Sequence, residues 1–299
     1  MALRCPWLRR PPTRAPGGVP AVVPPPVSAS NSRVYFRNGD SDIWFVTPVG
    51  NNQDVTTVPG GPTTVSFFAV SPDDQRIAVV VEDLSGASTI GLRLYVEDVV
   101  GHGHHADIYS TTISASGGLT LWPSGWQNND LVLAVVTACS STPVRHPAAW
   151  HVVDPATANR LVNIDTGVCL STLIPSAGGI ACAIPNTGAA GSANGRIRIY
   201  NWSGSLIWDA VNSDTNMDQP AAVSPSGTRL FVNAGATWGF LPVQAVAHGD
   251  LPLMKPPFAC LWIDDATVMT SSTVVGYPSE KMQDVGIQGD CVGRFPGGP

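Results

Sequence analysis

Short runs of β-branched and aromatic residues alternate with polar turns along most of the chain. One frame, a strand end followed by a tight polar turn and an apolar run, recurs at residues 27–36, 70–80 and 223–232. Weaker copies of the same frame lie at residues 123–136, 174–184 and 262–269. The apolar positions alternate or run together for four to six residues, which indicates strands joined by hairpins and excludes a helical solenoid.

A second kind of strand, rich in aromatic residues, follows each copy of the frame. These strands are expected at residues 42–46, 92–96, 149–153, 196–200, 236–240 and 273–277. Their average spacing is about 46 residues, and four short strands repeated at this period are typical of a β-propeller. The sequence predicts an all-β, six-bladed β-propeller of four-stranded antiparallel blades over residues 27–299. A pair of β-sandwiches is the alternative, although unrelated sandwiches would not repeat one frame six times.

The segments that carry the frame also resemble a known repeat. The runs SPDDQRIAVV and SPSGTRLFV pair with DIWFVTPVG, RLYVEDVVG and RIYNWSG. Together they resemble the TolB-like, WD40-like β-propeller repeat, in which a Ser-Pro-Asp-Gly turn precedes an apolar strand. The resemblance covers roughly residues 27–288 and implies the fold, but it says little about activity because the matching residues are structural. Blades three, four and six depart from the pattern, since they lack the Ser-Pro-Asp-Gly turn.

The two ends of the chain differ from the repeats. Residues 1–26 contain four arginines, no acidic residue and many prolines, which predicts a flexible Pro/Arg-rich tail without the apolar core of a secretory signal. Either residues 22–27 or residues 290–295 can supply the innermost strand of blade one. We favour the C-terminal segment, because the prolines at 24–26 lack the amide donors that a ladder needs.

Composition limits the classes of partner. Hydrophobic residues make up 43% of the chain, which is enough for a buried core. The net charge of -6 argues against a nucleic-acid partner, because such proteins carry a basic face. No apolar run approaches the roughly 20 residues that cross a bilayer, so we expect no membrane insertion.

The six cysteines include no Cys-x-x-Cys pair, which argues against a zinc ribbon or a thioredoxin-like motif. Their even number in a chain poor in Lys and Glu favours an oxidising location. We therefore expect a secreted or periplasmic protein, with the cytoplasm as the alternative. If the C-terminal segment closes blade one, Cys260 and Cys291 become neighbours and could form a disulfide. Cys169 and Cys182 lie near adjacent strands of blade four, and either could reach Cys139. The alternative is that all of these thiols are buried and free.

Imidazoles are concentrated in one short segment. His102, His104 and His105 are followed closely by Asp107, a set that could hold Zn²⁺. The propeller frame places this segment in the turn between the third and fourth strands of blade two. The alternative is a solvated polar loop. Acidic pairs at residues 40–42 and 73–74 offer oxygens for Ca²⁺ without the spacing of a strong site, so no cofactor is expected beyond Zn²⁺ or Ca²⁺.

The tryptophans divide into two groups by position. Trp44, Trp150 and Trp238 fall on equivalent strands, where we expect them to pack between blades. Trp122, Trp126 and Trp202 fall nearer turns and are candidates for an exposed aromatic platform for a sugar or a peptide.

No nucleophile elbow or phosphate-binding loop occurs, so the sequence nominates no catalytic residue. We expect a non-catalytic binding module for a protein, a peptide or a glycan at the mouth of the propeller channel. The candidate contact residues there are Asp40, Arg145, His146, Asp214 and Asp218. The alternatives are a metal-dependent propeller enzyme of lactonase or lyase type and a sensory ectodomain cut from a longer protein.

Overall fold

A computed structural model describes most of the repeats. The described residues are 27–139, 147–167, 169, 175–184, 195–212, 221–234, 237–242, 259–270, 273–277, 279 and 281–284. All regular elements in this part of the chain are β-strands. Correspondingly, none of these residues belongs to a helix long and apolar enough to span a membrane. The chain divides into two compact units, and the described residues pass from the first unit to the second between Asp165 and Thr166.

The first unit contains three antiparallel sheets of four strands, each built in the order of the sequence. Sheet one consists of β1 (Val27–Ala29), β2 (Val34–Asn38), β3 (Asp42–Val46) and β4 (Asn52–Thr57). Sheet two consists of β5 (Thr64–Val70), β6 (Arg76–Asp83), β7 (Thr89–Asp98) and β8 (Ala106–Ser114). Sheet three consists of β9 (Leu119–Gln127), β10 (Asp130–Thr137), β11 (Ala149–Val153) and β12 (Arg160–Asp165).

The second unit also contains three antiparallel sheets. Sheet four consists of β13 (Ile180–Ile184), β14 (Gly195–Tyr200) and β15 (Leu206–Asn212). Sheet five consists of β16 (Ala221–Val223), β17 (Arg229–Ala234) and β18 (Thr237–Pro242). Sheet six has four strands, β19 (Ala259–Asp264), β20 (Thr267–Thr270), β21 (Thr273–Gly276) and β22 (Met282–Asp284). The first strand expected of sheet four and the last expected of sheet five fall outside the described residues.

First strands of successive sheets lie side by side within each unit. In the first unit β5 contacts both β1 and β9, and in the second unit β16 contacts β19. This is how propeller blades pack, because each twisted sheet buries its faces against its neighbours. The prediction of an all-β β-propeller with four-stranded antiparallel blades is confirmed. The number of six blades stays a prediction, since two of the sheets show three strands in the described part.

One apolar core cluster of the first unit lies between sheets one and two. Tyr35, Ile43 and Ile77 are fully buried there. On β3, Ile43 and Phe45 alternate with less buried positions, whereas residues 77–82 of β6 are all buried. Alternation of this kind is what the sequence pattern predicts for a half-buried strand. Trp150 of β11 is buried as expected, whereas Trp44 of β3 is only partly buried and the side chain of Trp238 is not described.

Turns between the first and second strands link one sheet to the next. Asp74, in the β5–β6 turn, accepts hydrogen bonds from Ser32 Oγ at 2.5 Å and from the Tyr35 hydroxyl at 2.8 Å, both on sheet one. Asp265, in the β19–β20 turn, accepts one from the backbone amide of Ser226 at 2.9 Å, on sheet five. In both places the turn thus provides a polar contact between neighbouring sheets as well as a reversal of the chain.

Sheet one takes its first strand from the N-terminal side, which corrects the preference for closure by residues 290–295. β1 pairs with β2 through Val27 and Phe36, directly after the three prolines. A strand that begins after the last proline loses no ladder donor, so the missing proline amides do not weaken this pairing. Residues 290–295 and the tail at 1–26 lie outside the described residues.

Disulfides occur in the described part of the chain. Cys169 and Cys182 are bonded to each other, with their Cα atoms 5.3 Å apart. Cys139 is also disulfide-bonded, so none of the three cysteines whose side chains are described is a free thiol. This contradicts the alternative of free buried thiols for these three residues. The predicted pair Cys260–Cys291 lies outside the part whose side chains are described.

Candidate functional site

Polar side chains gather at one end of the sheets, where second strands finish and first strands begin. We call this the mouth end; in the first unit it includes Arg37, Asp40, Ser66, Glu82 and Thr120. Arg37, near the end of β2, is half-buried and donates from its NH1 to the carbonyl of Ser66 on β5 at 2.8 Å. Burial lowers the pKa of Arg37, and the neighbouring carboxylate of Asp40 opposes that shift. The guanidinium is therefore held between sheets one and two beside an exposed carboxylate.

The turn that presents Asp40 is packed from behind. The backbone amide of Val58 donates to the carbonyl of Ser41 at 2.8 Å. Gly60 approaches the same turn so closely that a Cβ atom there would lie 2.1 Å from the Asp40 carbonyl oxygen. The connection from β4 to β5 thus fixes the turn backbone while the Asp40 side chain stays exposed.

Glu82 is the most unusual ionisable group at the mouth end. Its side chain is completely buried between sheets two and three, and Oε1 accepts a hydrogen bond from the hydroxyl of Thr120. Oε2 is buried without a hydrogen-bond partner. Burial raises the pKa of Glu82 to about 7, although the hydrogen bond from Thr120 acts in the opposite direction.

Only part of the predicted mouth can be compared with the structure. Asp40 lies in the turn between β2 and β3, and its role as a contact residue stays a prediction. The other four candidates, Arg145, His146, Asp214 and Asp218, lie outside the described residues. Sequence reasoning missed Arg37 and Glu82. One sequence feature could have identified both: each is a charged residue near the end of a second strand, at a position where the apolar pattern predicts burial.

The predicted aromatic platform is wrong. Trp122 and Trp126 are 3% and 0% exposed on β9, and Trp202 is 5% exposed between β14 and β15. Each indole serves the packing: Trp126 donates from Nε1 to the carbonyl of Ala69 at 3.1 Å, and Trp202 donates to the carbonyl of Ser176 at 2.6 Å. A tryptophan near a turn can pack over a neighbouring segment and donate a hydrogen bond to its backbone. Position near a turn therefore does not imply exposure.

The imidazoles lie in the β7–β8 turn, as predicted, at the opposite end of sheet two from Glu82. Carboxylates surround them, and we call the group the histidine cluster: Glu97, Asp98, His102, His104, His105 and Asp107. Glu97, whose side chain is 4% exposed, contacts two imidazoles through different oxygens. Nδ1 of His102 lies 2.7 Å from Oε1, and Nδ1 of His105 lies 2.7 Å from Oε2. A carboxylate only accepts hydrogen bonds, so both imidazoles donate to Glu97. The sequence analysis did not name Glu97.

The outer part of the histidine cluster is more exposed. Nδ1 of His104 lies 2.8 Å from Asp98, and Nε2 of His105 lies 3.6 Å from Asp107 Oδ1. NH1 of Arg93 lies 3.4 Å from the same Asp107 oxygen. Burial and the Glu97 carboxylate raise the pKa of Tyr95, whose ring lies against His105. Within the described residues, no group of three or more His, Cys, Asp or Glu side chains is arranged to hold a metal ion.

Comparison with known proteins bears on the fold. No protein-family model and no curated protein sequence matches the chain.

Solved structures with a similar fold include an oligogalacturonate lyase in complex with manganese, at a TM-score of 0.50 and 8% identity over 74% of this chain and 62% of the lyase. Dipeptidyl peptidase 4 of Porphyromonas gingivalis is similar at a TM-score of 0.54 and 14% identity, over 86% of this chain and 44% of the peptidase. The chain thus spans less than two thirds of either protein. At these identities the similarity shows a shared β-propeller fold and nothing further.

Proposed function

We propose that this chain is a six-bladed, TolB-like propeller that acts as a binding module at its mouth end. The partner is a protein, a peptide or a glycan with polar groups. One observation carries the proposal: an exposed carboxylate, Asp40, sits on a fixed turn beside Arg37, which is anchored to Ser66 of the next sheet. Groups held in place before binding lose little freedom when a partner arrives, which favours affinity.

The pair also offers both signs of charge at one place. The guanidinium of Arg37 still has donors beyond the one that bonds Ser66, and Asp40 can accept from hydroxyl or amide groups. Carbohydrates and peptide backbones present donors and acceptors together, so such a pair suits either ligand.

A secreted or periplasmic location is part of this proposal. The disulfide between Cys169 and Cys182 and the bonded state of Cys139 support it, because disulfides persist in oxidising compartments. Peptide mapping without reductant, on protein alkylated at harvest from its native source, tests the location. Recovery of these three cysteines as free thiols would instead support the cytoplasm.

Screening on a glycan array and a peptide-display library, followed by variants, tests the binding function. We expect ligands selected by the intact chain to bind at least about 10-fold more weakly to Asp40→Ala and to Arg37→Gln, since each removes a charged hydrogen-bonding group. Asp54→Ala is the matched control, because Asp54 is exposed on the outer strand β4 of the same sheet. Selected ligands that bind all three variants equally would contradict the proposal.

Turnover is the other outcome that would contradict it. The structural neighbour that is a lyase acts on oligogalacturonate and was solved with manganese. Incubation of the intact chain with oligogalacturonate and Mn²⁺, followed by ultraviolet absorbance of unsaturated product, tests a lyase-like propeller enzyme. We expect no product above a sample without protein.

A further inference from the structure

We infer that Asn201 is the acceptor for an asparagine-linked glycan. The acceptor pattern is an asparagine followed at the second position by serine or threonine, without an intervening proline. Asn201-Trp202-Ser203 fits this pattern, and no other asparagine of the sequence does. The inference rests on the secreted location that is part of the proposed function, because such glycans mark surface loops of secreted proteins.

The acceptor lies in the short turn between β14 and β15. The backbone amide of Asn201 donates to the carbonyl of Ser205 at 3.1 Å, and the amide of Gly204 donates to the carbonyl of Asn201 at 3.0 Å. Gly204 closes the turn with a φ of 80°, a conformation that glycine adopts without strain. Asn201 is half-buried, whereas Ser203 and Ser205 are exposed. The pattern therefore lies at the surface of its sheet.

Contacts within the turn show which atom of the Asn201 amide is available. Oδ1 accepts from the backbone amide of Ser205 at 2.9 Å and from the hydroxyl of Ser203 at 2.7 Å. A backbone amide only donates, so the atom that it meets is the oxygen and the other atom is Nδ2. Nδ2 donates no hydrogen bond within the part of the chain that the structure describes, and it is not buried. The nitrogen that would carry the glycan thus faces solvent.

Transfer of a glycan changes only this free nitrogen. Nδ2 forms a bond to the anomeric carbon of a glycosyl diphosphate lipid, and the bond between that carbon and the phosphate oxygen breaks. The diphosphate leaves with the electron pair, and the amide loses one proton to a base of the transferring enzyme. Oδ1 does not react, so it can still accept from Ser203 and Ser205. The folded turn is therefore compatible with the modification.

The middle residue of the pattern attaches the turn to the sheet. Trp202 is 5% exposed and donates from Nε1 to the carbonyl of Ser176 at 2.6 Å. Ile180, the first residue of β13, pairs with Tyr200 beside the turn. The turn thus lies at the end of sheet four where its second strand begins. The mouth end is where second strands finish, so a glycan on Asn201 leaves the mouth end of this sheet uncovered.

Peptide mass spectrometry of the protein from its native source tests the inference. We expect a glycopeptide that contains Asn201, and aspartate at this position after treatment with the amidase that removes such glycans. Unmodified Asn201 in protein whose Cys169 and Cys182 are bonded would overturn the inference and leave the secreted location intact. Unmodified Asn201 together with free thiols at these two cysteines would overturn both.

Variants of the full chain, produced in a eukaryotic secretory pathway, test the assignment to this pattern. Asn201→Gln and Ser203→Ala each remove one of the two required side chains, so we expect complete loss of the glycan in both. Ser203→Ala keeps the hydrogen bond between Oδ1 and Ser205, which keeps the test available if Asn201→Gln unfolds. Ser205→Ala leaves the pattern intact and should keep the glycan. A glycan retained in Ser203→Ala would contradict the assignment.

The turn between β11 and β12 provides a matched positive control. Asn159 is exposed there and lacks only the hydroxyl two positions later, where Leu161 is 55% exposed. Leu161→Thr supplies this hydroxyl, so we expect a second glycan, on Asn159. A glycan on Asn159 in this variant, with none on Asn201 in the same molecule, would show that Asn201 is not an acceptor and would overturn the inference.

Discussion

Single polar side chains between sheets have larger effects than their number suggests. Glu82 and the pair Tyr35–Asp74 lie where apolar residues would be the simplest choice for stability. Burial without full hydrogen bonding strongly destabilises the charged form of a carboxyl group. A hydrogen bond between two sheets fixes their relative position. Both features lead to measurable predictions.

Replacement of Glu82 by Gln should remove a dependence of stability on pH. The pKa of Glu82 is raised in the folded chain, so the folded state holds this proton more tightly than the unfolded state. Its contribution is fully present below the ordinary glutamate pKa and is lost as pH rises through about 7. The shift corresponds to about 3 kcal/mol, and burial makes solvent screening small.

Chemical denaturation at pH 4.5 and at pH 8 measures this effect. From pH 4.5 to pH 8, the intact chain should lose about 3 kcal/mol of unfolding free energy that Glu82→Gln keeps. Asp83→Asn is the control, because the neighbouring Asp83 is exposed. An equal difference between Glu82→Gln and the intact chain at both pH values would show that Glu82 has an unshifted pKa.

The hydrogen bond from Tyr35 to Asp74 should couple sheets one and two. Tyr35 is completely buried, and its hydroxyl lies 2.8 Å from Asp74 Oδ1. A hydrogen bond to a charged acceptor contributes about 1.5–3 kcal/mol. In a double-mutant cycle with Tyr35→Phe and Asp74→Asn, we expect a coupling free energy of at least about 1 kcal/mol by denaturation. Additive single effects would contradict this.

Two turns pack against each other where sheets four and five meet. The turn Ser176–Gly179 lies against the turn Ser224–Gly227, and Gly178 makes the closest approach. A Cβ atom on Gly178 would lie 2.1 Å from the Ser224 carbonyl oxygen and 2.6 Å from the Gly227 amide nitrogen. Backbone atoms cannot move aside as a flexible side chain can, so only glycine fits here.

Gly178→Ala should therefore destabilise the second unit by about 2 kcal/mol or more. Gly91→Ala is the matched control, because a Cβ atom on Gly91 of β7 would meet only the Asp83 Cβ, at an ordinary 3.4 Å. We expect its melting temperature to stay near that of the intact chain. Equal melting temperatures for both variants would show that the two turns separate more easily than their contact suggests.

At the element scale the sequence predicted strands well and exposure less well. Alternation and polar turns located β5–β6 and β16–β17 because the period of two is a local property. The same reasoning misplaced Trp122 and Trp126, since a strand of unknown length can extend into a segment that looks like a turn. The orientation of the histidines toward Glu97 was also inaccessible, because it depends on contacts across a turn whose geometry the sequence does not specify.

For the molecule as a whole, the disulfide between Cys169 and Cys182 should raise the stability of the second unit. It closes a loop with a sequence separation of 13, which in the chain-entropy account is worth about 3 kcal/mol. We expect Cys169→Ala/Cys182→Ala to lower the melting temperature in calorimetry. Lys281→Ala, an exposed change in the same unit, is the control. An unchanged transition would contradict a stabilising role.

The overall architecture was predictable because the repeat occurs six times, so a misplaced strand boundary in one copy does not hide it. Three strong copies of the turn frame showed that the chain repeats, and the spacing of the six aromatic-rich strands set the period. The source of the first strand of sheet one was not predictable in the same way. The three prolines argued against an N-terminal strand, yet Val27 begins one immediately after them. The prediction depended on whether the strand begins before or after Pro26. A repeat of about 46 residues does not locate a strand boundary to one residue.

The order of strands in the first three sheets has a consequence for synthesis on the ribosome. Each of these sheets uses only consecutive strands, so no strand has to wait for a distant part of the chain. Translation at about 5–20 residues per second delivers one sheet every few seconds, whereas a hairpin forms in about 1–10 μs. Every sheet can therefore assemble before the next one emerges, with one apolar face left uncovered for those seconds. The interval between successive sheets is thus the period in which a nascent chain of this kind most needs a chaperone.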